Sequence, residues 1–128
     1  LDALRKAIKV APEFPEAHYS LGLVYAQQED FKQAESSLQA ALRLRPEYAE
    51  ALTDLSGVYI QTRRFRQALS LLARAQRVNP SLGQSYLNAA KAYFALGDKQ
   101  SALRSVETLL KLQPGNPTAL AWQKRLSP

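Results

Sequence analysis

Residues 43–52 read RLRPEYAEAL and join a basic, apolar segment to an acidic, alanine-rich one across a single proline. Nearly the same junction occurs three more times, in segments that begin at Lys9, Arg77 and Lys111. The junction prolines follow one another at intervals of 34 residues: Pro12, Pro46, Pro80 and Pro114. So regular an interval is typical of a repeat array, and it predicts that the chain is built from 34-residue units.

Each unit contains two apolar patterns of helical period. In residues 15–48 the two patterns are separated by a polar break at residues 28–30. The patterns consist of His18, Leu21, Gly22 and Tyr25, and then of Phe31, Ala34, Leu38, Ala41 and Leu42. Two helices with a short connection pack antiparallel, and we expect the next unit to cover the apolar surface that they leave open.

The same pattern recurs in residues 49–82 and 83–116. Small residues at one repeated position predict a close approach of the two helices in each hairpin: Ala34, Ala68 and Ala102. Tyrosines at another repeated position are predicted to fill the gaps between hairpins: Tyr25, Tyr59 and Tyr93.

The pattern resembles the tetratricopeptide repeat family, whose unit reads W-x₂-L-G-x₂-Y, then A-x₃-F, then P. Here the unit reads His18-x₂-Leu21-Gly22-x₂-Tyr25, Ala34-x₃-Leu38, Pro46, with two weaker copies after it. The tryptophan position holds His18, Leu52 and Tyr86, a departure that the family tolerates. The resemblance covers the whole chain. It implies an all-α, right-handed α-solenoid of stacked antiparallel hairpins. The pentatricopeptide class of RNA readers has a unit one residue longer, and the observed spacing argues against it.

On this basis residues 1–128 are predicted to form a single repeat domain. Its parts are the second helix of a truncated repeat (1–14), three repeats (15–48, 49–82 and 83–116) and a C-terminal capping helix (117–128). The first helix has no partner before it, so Leu1, Leu4 and Ile8 are expected to expose an apolar face. We therefore expect self-association through this end, as for a fragment of a longer protein.

The junctions are explained by the chemistry of helix ends. A basic residue precedes each proline and favours the negative end of the helix dipole: Lys9, Arg43, Arg77 and Lys111. Glu16 and Glu50 suit the start of the following helix, and Asn116-Pro117 suits a cap with a first-turn proline. Asp30 is predicted to cap the helix that begins at Phe31.

The composition argues against catalysis. The chain has one histidine and no cysteine, and its five glycines form no phosphate-binding loop. His18 occupies a packing position in the repeat. We therefore predict neither an enzyme nor a cofactor or metal site. The longest apolar run, LGLVYA, is far too short to cross a membrane, and nothing in the given sequence resembles a signal peptide. Cytoplasm and bacterial periplasm are both compatible with the sequence.

The first helix of each unit is expected to form the inner wall of the superhelix, and residues of these helices that packing does not use would line a groove. The predicted partner-binding residues are Tyr19, Ser20, Leu23 and Gln27, then Thr53, Asp54, Gly57 and Gln61, then Leu87, Asn88, Lys91 and Phe94, with Trp122 from the last helix. Ser20, Asp54 and Asn88 are equivalent positions, so they predict a polar column able to hydrogen-bond the backbone of an extended peptide.

The sequence thus predicts a non-catalytic scaffold that binds a peptide or a partner helix within a larger protein. An alternative is a spacer or self-association element, whose groove is filled by its parent or by a second copy. A chaperone C-terminal carboxylate is disfavoured as the ligand. The family's clamp requires lysine, arginine and asparagine where this chain has Tyr19, Leu23, Asp54, Gln84 and Asn88.

A third alternative is a basic adaptor for nucleic acid or an anionic membrane. The net charge is +6, and residues 49–82 carry +3 of it. Arg63, Arg64 and Arg66 lie together at a predicted turn and form a possible anionic contact. The chain lacks the interleaved aromatic residues of single-strand binders, so this alternative is disfavoured.

Overall fold

The computed structural model describes residues 1–128 as eight α-helices with no strand. In chain order the helices are α1 (Asp2–Val10), α2 (Pro15–Gln27), α3 (Phe31–Leu44), α4 (Ala49–Gln61), α5 (Phe65–Val78), α6 (Gly83–Ala95), α7 (Lys99–Leu112) and α8 (Pro117–Leu126). None of them combines the length and the apolar character that a membrane crossing requires.

The helices form three hairpins that stack side by side. α2 packs on α3, α4 on α5 and α6 on α7, and each hairpin contacts the next through its second helix. α4 also packs against both α2 and α6, whereas the second helices do not pack against one another to a comparable extent. The first helices therefore form the inner, concave layer and the second helices the outer, convex layer. The predicted all-α solenoid of stacked hairpins is confirmed.

The two helices of each hairpin approach closely at small residues. Ala34, Ala68 and Ala102 are fully buried, as the sequence predicted. The approach is closest in the first hairpin, where a Cβ atom added to Gly22 would lie 2.7 Å from Cγ of Leu38. Leu38 is itself fully buried, so its side chain has no room to retreat.

This contact predicts opposite effects for two glycine substitutions. Gly22→Ala should lower the free energy of unfolding by about 1–3 kcal/mol, because the added methyl group overlaps Leu38. Gly57→Ala is the matched control: its Cβ would meet only Nδ2 of Asn88, at 3.8 Å. It should raise the stability by up to about 1 kcal/mol, since alanine favours a helix. Urea unfolding followed by circular dichroism measures both, and equal effects of the two substitutions would contradict the packing described.

The repeated tyrosines occupy the spaces between hairpins. Tyr25 and Tyr59 are each 8% exposed. The hydroxyl of Tyr25 accepts a hydrogen bond from Nη2 of Arg5 on α1 at 2.7 Å, and that of Tyr59 accepts one from Nε2 of Gln39 on α3 at 3.3 Å. Arg5 and Gln39 are equivalent positions on consecutive second helices. The aromatic ring and its hydroxyl group thus join the first and second hairpins to the outer helix before each of them, whereas Tyr93 is half-buried.

Three of the four junction prolines accept a side-chain hydrogen bond at their backbone carbonyl group. His18 donates from Nε2 to the carbonyl of Pro12 at 2.7 Å, and the hydroxyl of Tyr86 donates to that of Pro80 at 2.8 Å. The equivalent position in the second repeat is Leu52, whose side chain cannot donate a hydrogen bond. There Nη2 of Arg74 donates to the carbonyl of Pro46 at 3.2 Å. His18 therefore holds the junction in place.

The turn inside each hairpin places one residue in the left-handed region. The backbone φ angles are 60° at Glu29, 62° at Arg63 and 83° at Gly97. Only glycine adopts this conformation without steric cost. The next turn residue, Asp30 or Asp98, caps the following helix by accepting a hydrogen bond from Gln33 N or Ser101 N.

Adding and removing a glycine at this turn position should have opposite effects on stability, because only glycine avoids the steric cost of the positive φ angle. Glu29→Gly should stabilise the protein by about 0.5–1 kcal/mol, and Gly97→Ala should destabilise it by about 1 kcal/mol. Thermal unfolding of both variants against wild type measures the difference. A shift of the midpoint in the same direction for both would show that the φ angle does not decide the outcome.

The expectation for the first helix needs a correction. Leu4 and Ile8 are half-buried and pack against the core of the first hairpin, because the apolar stripe of α1 faces α2. Leu1 is 41% exposed. The apolar surface that remains open on α1 consists mainly of Ala3, Ala7 and Val10.

Candidate functional site

The concave layer is formed by α2, α4 and α6. Contacts between these helices determine which of their side chains remain accessible to a partner. Between α2 and α4 the hydroxyl of Tyr19 donates to Oδ2 of Asp54 at 2.6 Å. The ring of Tyr19 packs on that of Tyr48, with centroids 4.9 Å apart. Arg45 stacks over Tyr48 and pairs with Glu16 at 2.5 Å. These contacts fasten the first two hairpins together along their inner edge.

Burial shifts the protonation of this pair. Burial raises the pKa of the Asp54 carboxyl, while the hydrogen bond from Tyr19 acts in the opposite direction. Burial, followed by the hydrogen bond to Asp54 and its negative charge, raises the pKa of Tyr19 well above its ordinary range. Tyr19 therefore remains a hydrogen-bond donor at any physiological pH.

Between α4 and α6 the link is Asn88. Its Nδ2 donates to the backbone carbonyl of Thr53 and to Oγ of Ser56, both at 3.1 Å. Its Oδ1 accepts from Nε2 of Gln84 at 2.8 Å. Asn88 is 6% exposed, and every polar atom of its side chain has a partner within the protein.

Two of the predicted groove residues are therefore not available to a partner. Thr53 is 2% exposed, and its hydroxyl donates to the carbonyl of Ala49 within its own helix. Asn88 is occupied by α4. In the predicted polar column Asn88 is buried, and Asp54 is half-buried with its Oδ2 bonded to Tyr19 of α2. Binding of a partner by this column stays a prediction. Ser20 is half-buried.

The remaining predicted residues give the wall a mixed character. Leu23 of α2, Gly57 of α4 and Leu87 of α6 are half-buried, and a Cβ atom added at Gly57 would meet only Nδ2 of Asn88, at 3.8 Å. Exposed polar side chains follow the same wall: Gln27, Gln61 and Lys91. At the far end the ring of Phe94 meets Trp122 of α8 edge-on, with centroids 5.4 Å apart. Arg125 stacks over both rings, at 4.5 and 5.2 Å.

This wall is open. Of the nine clefts on the protein, five have volumes between about 180 and 490 Å³ and lining residues outside the predicted groove set. A shallow surface of this kind suits an extended or helical segment better than a compact small molecule. No group of three or more histidine or acidic side chains lies close enough together to hold a metal ion.

The basic turn also needs a correction. Arg64 forms a two-pronged ion pair with Glu35 of α3, at 3.1 and 2.6 Å, and stacks over Tyr59 at 4.2 Å. It therefore joins the first two hairpins, and its charge is not free for an anionic partner. Arg63 and Arg66 are exposed and line a cleft of about 310 Å³ beside Leu96.

The raised pKa of Asp54 predicts a pH dependence of stability. The folded protein binds this proton more tightly than the unfolded chain does. Stability due to this group is therefore greatest below its ordinary pKa of 3.8 and falls as the pH rises through the raised value. Asp54→Asn removes this loss of stability, because an amide does not titrate. Asparagine is also the residue at the equivalent position 88. Urea unfolding should show a larger gain for Asp54→Asn at pH 7 than at pH 4.

Asp98 provides the control of opposite sign. The hydrogen bond from Ser101 N lowers the pKa of its carboxyl, so its stabilising contribution is present above the ordinary pKa and lost as the pH falls. Asp98→Asn should therefore destabilise the protein, relative to wild type, more at pH 7 than at pH 4. A gain for Asp54→Asn that does not change with pH would contradict the burial of this carboxylate.

Comparison with known proteins agrees with this architecture. Family models described as tetratricopeptide repeat match residues 25–85 and 83–116, and one described as TPR repeat matches residues 1–29. The chain belongs to the tetratricopeptide repeat family, a fold that serves as a scaffold for protein–protein interaction. No curated protein sequence matches it.

Solved structures share the fold at low sequence identity. The Arabidopsis OM64 TPR domain superposes with a TM-score of 0.85 at 21% identity, over 88% of this chain and 93% of that one. The first TPR of Spaghetti (RPAP3), bound to the HSP90 peptide SRMEEVD, gives 0.85 at 22% identity, over 88% and 89%. Pseudomonas aeruginosa pilF gives 0.90 at 22% identity, over 96% of this chain and 56% of that one.

Proposed function

We propose that the concave wall formed by α2, α4 and α6, with α8 at its end, binds an extended peptide or a helix of a partner protein. The observation that carries this proposal is the mixed character of one strip of the wall. On its three helices Leu23, Gly57 and Leu87 are half-buried, and Gln27, Gln61 and Lys91 are exposed. Apolar side chains held half-open by a rigid scaffold are suited to anchor a segment whose backbone the glutamines hydrogen-bond.

A similar fold supports this type of ligand. The first TPR of Spaghetti (RPAP3) is described with a bound HSP90 peptide, SRMEEVD. We do not transfer that ligand. The negative charge of Asp54 and the apolar Leu23 stand where a clamp for a terminal carboxylate requires amide and basic side chains. The ligand of this chain is therefore a segment recognised by apolar anchors.

Gly57 is a suitable position for blocking the wall, because a Cβ atom there would make only an ordinary contact, 3.8 Å from Nδ2 of Asn88. Gly57→Trp places a large side chain in the middle of the strip, and circular dichroism first establishes that the variant folds. A photo-crosslinking residue at exposed Gln61 should capture a partner in source cells, and the additional Gly57→Trp substitution should abolish capture. Gly57→Ala, which adds only a methyl group, should leave capture unchanged.

Two further results decide the interpretation. The same crosslinker at exposed Ser70 on the outer helix α5 should not capture this partner. Purified partner should change the fluorescence of Trp122, the only tryptophan, which lies at the end of the wall. Capture from Gln61 that persists in Gly57→Trp would show that the concave wall is not the binding surface.

A second candidate function is self-association through α1. Ala3 and Ala7 are exposed, whereas Ser37 and Ala41, at the equivalent positions of α3, are buried. The opposite end differs, because Gln123 of α8 stands at the position of Leu21. We therefore propose that α8 closes the array and that α1 pairs with α1 of a second copy.

Ala7→Glu tests this pairing. The substitution places a charge on an exposed position, so it should leave the fold intact and shift the protein from dimer to monomer in sedimentation velocity. Ala73→Glu, at an exposed position of α5, is the control and should keep the distribution of wild type. A wild-type protein that sediments as a monomer at all concentrations would refute the pairing.

A further inference from the structure

A second recessed surface lies on the convex side, between the outer helices α3 and α5. It is a cleft of about 310 Å³ whose floor comes from Leu55 and Tyr59 of α4. Its full lining is Gln39, Leu42, Arg43, Leu55, Tyr59, Leu71 and Arg74. Ligand-binding pockets in proteins range from about 300 to 1,000 Å³, so this cleft lies at the lower end of that range.

The neighbouring cleft shows that stacking does not require this lining. The next cleft along the array, between α5 and α7, has a volume of about 180 Å³. One repeat on, Leu42 is replaced by Gln76, Leu71 by Ser105 and Arg74 by Thr108, all of which line that second cleft. The repeat therefore folds with polar side chains at these three positions. The apolar walls and the arginine of the α3–α5 cleft are a local addition.

The rim of the α3–α5 cleft carries positive charge without a counter-charge. The two ion pairs of the molecule use Arg45 and Arg64. Arg43 and Arg74 are both exposed, and no carboxylate lines the cleft. Arg74 donates to the carbonyl of Pro46, which leaves its charge in place. Glu35, the acidic residue of α3, is held by Arg64.

We propose that this cleft docks an acidic, apolar segment of a partner protein. An aliphatic or aromatic side chain of the segment enters between Leu42 and Leu71, and adjacent carboxylates accept hydrogen bonds from the guanidinium groups of Arg43 and Arg74. The site lies on the layer opposite the concave wall. The protein can then hold two segments at once, so this proposal stands independently of the concave site.

Grafting the neighbouring cleft onto this one tests the proposal. A triple variant, Leu42→Gln, Leu71→Ser, Arg74→Thr, carries only residues that the chain itself uses at the equivalent positions, so it is expected to fold. Circular dichroism and a thermal midpoint establish this first. A phage-displayed library of random peptides is then selected on the wild type after depletion on the triple variant, and enriched peptides are resynthesised for fluorescence anisotropy.

The enriched peptides should combine bulky apolar residues with aspartate or glutamate. The triple variant and Arg43→Glu should each weaken their binding at least about tenfold, and added salt should weaken it further. Lys111→Glu is the matched control: it removes the same charge at the repeat position of Arg43, on α7, and should keep the wild-type affinity. Gly57→Trp should also keep it.

Four outcomes would overturn the proposal. They are a selection without enrichment, peptides that lack acidic residues, peptides that bind the triple variant as well as the wild type, and peptides lost in Gly57→Trp. The last would assign them to the concave wall. A fifth is a wild-type dimer in sedimentation that the triple substitution abolishes, because the cleft would then be an interface between copies and not a partner site.

Discussion

The structure depends on one constraint: a single helical hairpin cannot cover its own apolar surface. Within each hairpin the helices meet at a fully buried alanine, and in the first hairpin they come so close that Gly22 leaves no space for a Cβ atom. The surface that remains is buried only when a neighbouring hairpin stacks on it, as the first hairpin does on Leu55 and Tyr59. α4, which has neighbours on both sides, contains eight buried residues, and α1 contains none. Stability is therefore a property of the array.

The same constraint determines what the inner wall can offer. Neighbouring first helices must be joined in register, and polar side chains join them: Tyr19 bonds to Asp54, and Asn88 bonds to Thr53 and Ser56. The side chains that these bonds do not use include the half-buried Leu23 and Leu87 and the exposed Gln27, Gln61 and Lys91. They are the basis of the proposed binding site.

Much of the fold could be predicted from the sequence because the repeat interval is a purely local signal. Helix ends, the small residues between helices and the caps at Asp30 and Asn116 follow from spacing and residue type, and the structure confirms them. The concave wall could be predicted only as a set of helix faces. Periodicity gives the direction of a side chain, but it does not show whether a neighbouring helix already uses that side chain, as it does for Asn88. The same holds for Arg64, whose ion-pair partner Glu35 lies 29 residues away in sequence. The α3–α5 cleft could not be predicted, because its lining comes from three helices that only the folded structure brings together.

Amide hydrogen exchange followed by mass spectrometry tests the dependence on stacking most directly. Each helix opens with a free energy set by how much of it the neighbouring helices bury, so exchange should be slowest in α4 and become faster toward α1 and α8. Leu55→Ala, which removes apolar contact at the centre of the array, should accelerate exchange in the neighbouring hairpins as well as in its own. Equal protection in α1 and α4, or an effect of Leu55→Ala confined to its own hairpin, would contradict an array held together by its neighbours.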